Sequence, residues 1–60
     1  MAQKLKAERA LLGLTQTDVA KHLGISLNSY ASKERGEKEF TLSEIKKLLA
    51  LFNKKFEELF

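Results

Sequence analysis

Thr15-Gln16-Thr17-Asp18-Val19-Ala20-Lys21-His22-Leu23-Gly24-Ile25-Ser26-Leu27-Asn28-Ser29-Tyr30 is the stretch that decides the fold. It reads as a helix, a glycine turn and a second helix. Thr15 is a good N-cap, because its side-chain oxygen accepts from an otherwise unpaired first-turn N–H. Asp18 follows three residues on, close to a capping box and favourable to the helix dipole. Val19, Ala20 and Leu23 form the buried stripe of that helix. Gly24 stops it at a sharp turn where a Cβ is expected to clash. Ala20, four residues earlier, is small enough to let the two helices cross closely, and Ile25 plugs the angle between them. Ser26 caps the next helix, which runs to Lys33 or Glu34. Tyr30 is its only large candidate for burial. Leu27, Asn28, Ser29, Ala31 and Ser32 cover its outer face, mostly with small side chains that offer both donors and acceptors. A helix polar nearly all round is exposed for a purpose or unstable.

Upstream, a first helix is expected from about Gln3 to Leu12, with Leu5, Arg9 and Leu12 at i, i+4, i+7 on one inward stripe. Gly13 stands where a left-handed residue ends it. Downstream, Gly36 opens a loop through Phe40, and Thr41 or Ser43 caps a fourth helix with Glu44 at its start. Leu42, Ile45, Leu48, Leu49 and Phe52 mark the buried face of that helix. Asn53 can take the left-handed conformation that ends it, and Lys54 and Lys55 suit the terminus electrostatically. A short fifth helix from Phe56 to Phe60 closes the chain. Glycines at 13, 24 and 36 space such helices, there is no proline, and no stretch alternates with the period of a strand. The expectation is an all-α fold: one compact five-helix domain over residues 1–60.

Composition narrows the function. A fold of this size buries only about 60% of the surface its unfolded chain exposes. There is no cysteine for a disulfide, and His22 alone makes no zinc site of the usual kind, so no metal is expected. A 43% hydrophobic content fits a packed globule. No apolar run nears the ~20 residues of a membrane span. The opening residues, MAQKLKAERALL, are too charged for a signal peptide, so a cytoplasmic protein without membrane contact is expected. No paired carboxylates, nucleophile–base set or metal cluster is visible, which argues against an enzyme, a cofactor or a small-molecule substrate. The net charge of +3 is mild. It is unevenly placed, however: residues 1–38 hold seven basic and four acidic side chains, and residues 39–60 hold four of each. The excess therefore falls in the part that contains the deciding stretch, and is compatible with nucleic acid.

Arg9, Leu14-Thr15-Gln16, Val19-Ala20, Leu23-Gly24 and Glu34-Arg35-Gly36 together resemble the lambda-repressor/Cro-type (XRE-type) helix-turn-helix family. The stretch from Phe40-Thr41-Leu42-Ser43-Glu44 through Leu51-Phe52-Asn53 to Phe56-Glu57-Glu58-Leu59-Phe60 is similar to small phage-associated members. The resemblance covers about residues 4–60. It implies a sequence-specific regulator of transcription, a phage-type repressor on a (pseudo)palindromic operator in double-stranded DNA, with helix 3 in the major groove. It further implies base contacts from Leu27, Asn28 and Ser32, where Asn28 reads adenine and Leu27 meets a thymine methyl. Gln16, Ser26, Ser29, Arg35 and Lys38 fall at backbone-contacting positions, and Arg9 with Glu34 at a structural ion pair. Phe56, Leu59 and Phe60 are spare apolar residues for a homodimer interface.

Four residues depart from the family pattern: Lys33 at an often apolar position, Tyr30 for Ile or Val, Phe40 for proline and Asn53 for glycine. Taken singly, Gln16 reads equally well as an exposed first-turn residue. Asn28, Ser29 and Ser32 can also be read as ordinary solvated residues, although their shared face and the turn before it favour contact, and Arg9 and Glu34 need not pair. His22, Lys46-Lys47 and Lys54-Lys55 read as solvated, and Leu11 as exposed or part of an interface. Two rival functions share the fold. An antitoxin-type autoregulator needs a toxin-binding segment, for which no spare chain is expected. A helical protein-interaction module without DNA binding would carry acid on the third helix, and none lies between Ile25 and Lys33.

Overall fold

Helix ends account for most of the architecture. The computed structural model describes residues 3–60; Met1 and Ala2, counted in the expected domain, lie outside them. Five helices follow in order: α1 (Gln3–Leu11), α2 (Gln16–Leu23), α3 (Leu27–Glu34), α4 (Leu42–Phe52) and α5 (Phe56–Leu59). No strand occurs among the described residues. Thr15 and Thr41 head α2 and α4 with complete capping boxes. Each hydroxyl accepts from the backbone N–H three residues on, and the Asp18 or Glu44 carboxylate accepts from the threonine N–H at 2.9 Å. Thr41 is thus the cap, not Ser43. Ser26 caps α3 by accepting from the Ser29 N–H.

The first four helices end alike. At Gly24 the N–H donates to the Lys21 carbonyl and the next N–H, of Ile25, donates to Ala20; the same pair of bonds recurs at Gly13, Gly36 and Asn53. This Schellman geometry satisfies terminal carbonyls but requires positive φ. Gly24 has φ 74° and Asn53 has φ 54°. The expected clash at Gly24 is absent: a Cβ built there meets no atom within 4 Å. What demands glycine is the left-handed backbone itself, which L residues adopt at a cost.

Leu5, Val19, Ala20, Leu23, Tyr30, Leu48, Phe52 and Leu59 form the core, with Leu14, Ile25, Phe40, Leu49, Leu51 and Phe60 packed against it. α2 packs on α3 and α4, while α5 packs on α1 and α4. Two expected core residues are on the surface. Leu12 is 54% exposed because α1 ends at Leu11, so helical spacing no longer aims it inward; Leu14, after the turn, takes the place. Leu42 is 69% exposed. The inward stripe of α4 is Glu44, Leu48 and Phe52, at i, i+4 and i+8, which turns Leu42 to the far side. Leu59, expected to be spare, is fully buried and anchors the four-residue α5. It therefore cannot form an interface without unfolding that helix.

Candidate nucleic-acid interface

α3 is presented rather than submerged. Only Tyr30 and Glu34, one turn apart, are buried. Asn28, Ser32 and Arg35 recur at i, i+4 and i+7 on the opposite side; Asn28 and Arg35 are exposed and Ser32 is half-buried. Leu27 and Ser26 are exposed at the amino end, and Ser29 is half-buried. Ser26 is both a cap and a donor: its hydroxyl donates to Ser29 Oγ at 3.0 Å. Arg35 closes the stripe, with Nη2 at 3.5 Å from Ser32 Oγ. Its guanidinium also donates to the Glu37 carboxylate at 2.9 and 3.2 Å, so a phosphate at Arg35 must compete with Glu37. The competition is mild, because a solvent-exposed ion pair is weak. Lys38 is exposed beside it.

Behind this face lies a buried polar cluster centred on Glu34. Its carboxylate accepts four hydrogen bonds: Arg9 Nε at 2.9 Å, Arg9 Nη2 at 3.2 Å, Gln16 Nε2 at 2.9 Å and the Tyr30 hydroxyl at 2.6 Å. Arg9 also donates to the Leu14 carbonyl at 2.9 Å. α1, α2 and α3 thus meet at one carboxylate. Burial works against ionising Glu34, but donation from Arg9, Tyr30 and Gln16 outweighs it and holds the carboxyl below its ordinary range. Burial, followed by the bond to Glu34, pushes the Tyr30 phenol up. Among the described residues, no buried side-chain polar atom lacks a partner.

A second ion pair ties the same carboxyl end of α3 to α4. Lys33 Nζ donates to both Glu44 oxygens, at 2.7 and 2.8 Å, with both side chains largely buried. Burial again opposes the Glu44 charge, and the bonds from Lys33 and the Thr41 N–H prevail, lowering its pKa. Lys33 therefore does not merely stretch its stem over the core to reach water; it locks α3 to α4. The sequence reading missed Glu44 as a partner, since nothing in an eleven-residue separation marks a contact. The aromatic departures are also linked. The Tyr30 and Phe40 rings are 6.0 Å apart, Phe40 and Phe60 meet edge-on at 5.7 Å, and Phe56 stacks on Phe60 at 5.1 Å. Phe40, where the family often has proline, wedges the loop between α3 and α5. Phe60 is half-buried by that contact and Phe56 is 51% exposed.

Residues 5–59 match a helix-turn-helix family profile. An uncharacterized HTH-type transcriptional regulator of Methanocaldococcus jannaschii is 40% identical over 60 residues, spanning 100% of this chain and 91% of that protein. No solved structure matches the chain significantly. The chain belongs to the XRE-type helix-turn-helix family, whose members are DNA-binding regulators of transcription rather than enzymes. No helix among the described residues is long and apolar enough to cross a membrane.

Proposed function

We propose that this regulator is a repressor of the phage type, working in the cytoplasm as a homodimer on a (pseudo)palindromic operator. α3 enters the major groove. Leu27, Asn28 and Ser32 meet base edges, while Gln16, Ser26, Ser29, Arg35 and Lys38 hold the phosphate backbone and fix the register. The observation that carries this reading is the outward stripe of α3: Asn28 and Ser32 take no part in the core, while Tyr30 and Glu34 hold the helix rigidly from behind. A side chain that reads a base must be both free and fixed in place, and this helix supplies both. Asn28 has the paired donor and acceptor that match adenine in the major groove. Phe56 and Phe60 supply an apolar face for the second copy. Leu59, buried within the protomer, takes no part in it.

Selection and sequencing of random duplexes at physiological salt tests the proposal. An enriched palindrome with half-sites about 34 Å apart is expected. Enrichment of a single half-site would remove the dimer. Binding without enrichment, lost as salt rises, would reduce the interaction to non-specific electrostatics.

A further inference from the structure

The Gln16 carboxamide sits at the seam between the buried cluster and the face proposed to meet DNA. It is the first residue of α2 and half-buried, and its nitrogen donates to Glu34 Oε1 at 2.9 Å. An ionised carboxylate only accepts, so the amide must turn its nitrogen inward, leaving one further N–H on that nitrogen. Glu34 is itself immobilised: Oε2 takes Arg9 Nε and the Tyr30 hydroxyl, and Oε1 takes Arg9 Nη2 beside Gln16.

We propose that Glu34 and Tyr30 are positioning residues for a phosphate contact made by the remaining N–H of Gln16, a role that rests on the DNA-binding reading above. An unrestrained glutamine presents nitrogen and oxygen with equal ease, and its carbonyl oxygen repels a phosphate. It also loses rotamer freedom when a ligand fixes it. The Glu34 carboxylate settles both matters before DNA arrives. Tyr30 contributes by pinning the carboxylate from the side opposite Gln16, something the Ile or Val common at this position cannot do. The departure at Tyr30 thus has a consequence for binding as well as for packing.

The direct variant, Glu34→Gln, leaves Arg9 without its partner and is liable not to fold. Tyr30→Phe keeps the ring and removes only the hydroxyl. The experiment measures affinity for a non-specific duplex of about two helical turns at low salt, for the wild type, Tyr30→Phe, Gln16→Ala and the double variant, with the melting temperature recorded for each. Because phosphate contacts are independent of sequence, no operator is needed. Tyr30→Phe is expected to weaken binding about two- to fivefold in the wild-type background, the scale of one loosened side chain. It should have no further effect once Gln16 is alanine. Equal losses in both backgrounds would mean that Tyr30 acts by general stability, and would overturn the proposal. So would a Gln16→Ala variant that binds as tightly as the wild type. A wild-type protein that fails to bind any duplex would instead overturn the DNA-binding reading, and the proposal with it.

Discussion

At the scale of single residues, the buried carboxylate of Glu34 governs both stability and its dependence on pH. Its pKa in the folded protein lies below the ordinary value of 4.5, so the unfolded chain binds the proton more readily. Folding stability from this group is therefore complete above about pH 4.5 and is lost as pH falls through the folded pKa. Glu44 shifts in the same direction and adds to the same window. Urea midpoints should be flat from about pH 7 to about pH 5 and drop below that. Glu34→Gln at neutral pH should cost about 3–5 kcal/mol, because Arg9 is left buried without its partner. An unchanged midpoint at pH 7 would show the pair to be dispensable. The residues of this cluster were legible as residues: Arg9 and Glu34 fit the family pattern. That Gln16 and Tyr30 would converge on the same carboxylate, one at each oxygen, was not, because convergence depends on the crossing of three helices. Gly24 was legible for the wrong reason, its space being open and its φ decisive. At the matching position Asn53, replacement by alanine should cost about 1 kcal/mol and by glycine nothing, as read by thermal unfolding.

At the scale of elements, caps and ends were read more accurately than inward faces. A cap is a local event, a hydroxyl and an N–H three residues apart, and sequence displays it directly. Which side of a helix faces the core depends on its neighbours, and so Leu12 and Leu42 were misjudged. Glu44 took the inward slot on α4 because two separate partners, the Thr41 N–H and Lys33, compensate its charge. Thr41→Ala should cost about 1 kcal/mol, the usual value of an N-cap. Glu44→Ala should cost more, since it removes the cap bond and strands Lys33; equal losses in urea titrations would mean that the Lys33 bridge contributes nothing. α5 offers a sharper contrast. Leu59→Ala should destabilise the protein by about 2–5 kcal/mol, as a buried leucine truncation does. Its neighbour Phe56 should be replaceable with little change in unfolding.

At the scale of the whole molecule, the fold has two faces with different chemistry. One is polar, running from Gln16 along α3 to Arg35 and Lys38. The other is aromatic, at Phe56 and Phe60 on α5. Under the proposed function the polar face meets DNA and the aromatic face meets the second copy. Lys38→Ala should weaken binding to every duplex alike and reduce the slope of log affinity against log salt by about one. Phe56→Ala should leave the contacts within a half-site intact but weaken self-association about tenfold, the scale of one truncated aromatic anchor, seen in sedimentation as a function of concentration. The two-faced arrangement could be anticipated from the uneven charge and the aromatic tail. The division within the tail between Leu59 inside and Phe56 outside could not, since a four-residue helix is too short for its spacing to reveal which side is buried.

Asn28 is the residue proposed to read sequence from α3, and the decisive comparison sets Asn28→Ala against the wild type on the selected operator, on operators changed at each position, and on random DNA. A loss of about 1–3 kcal/mol on the operator, relaxed preference at a single base pair and no change on random DNA are expected. An equal loss on operator and random DNA would place Asn28 on the backbone, and the assignment of base reading to this face of α3 would be wrong.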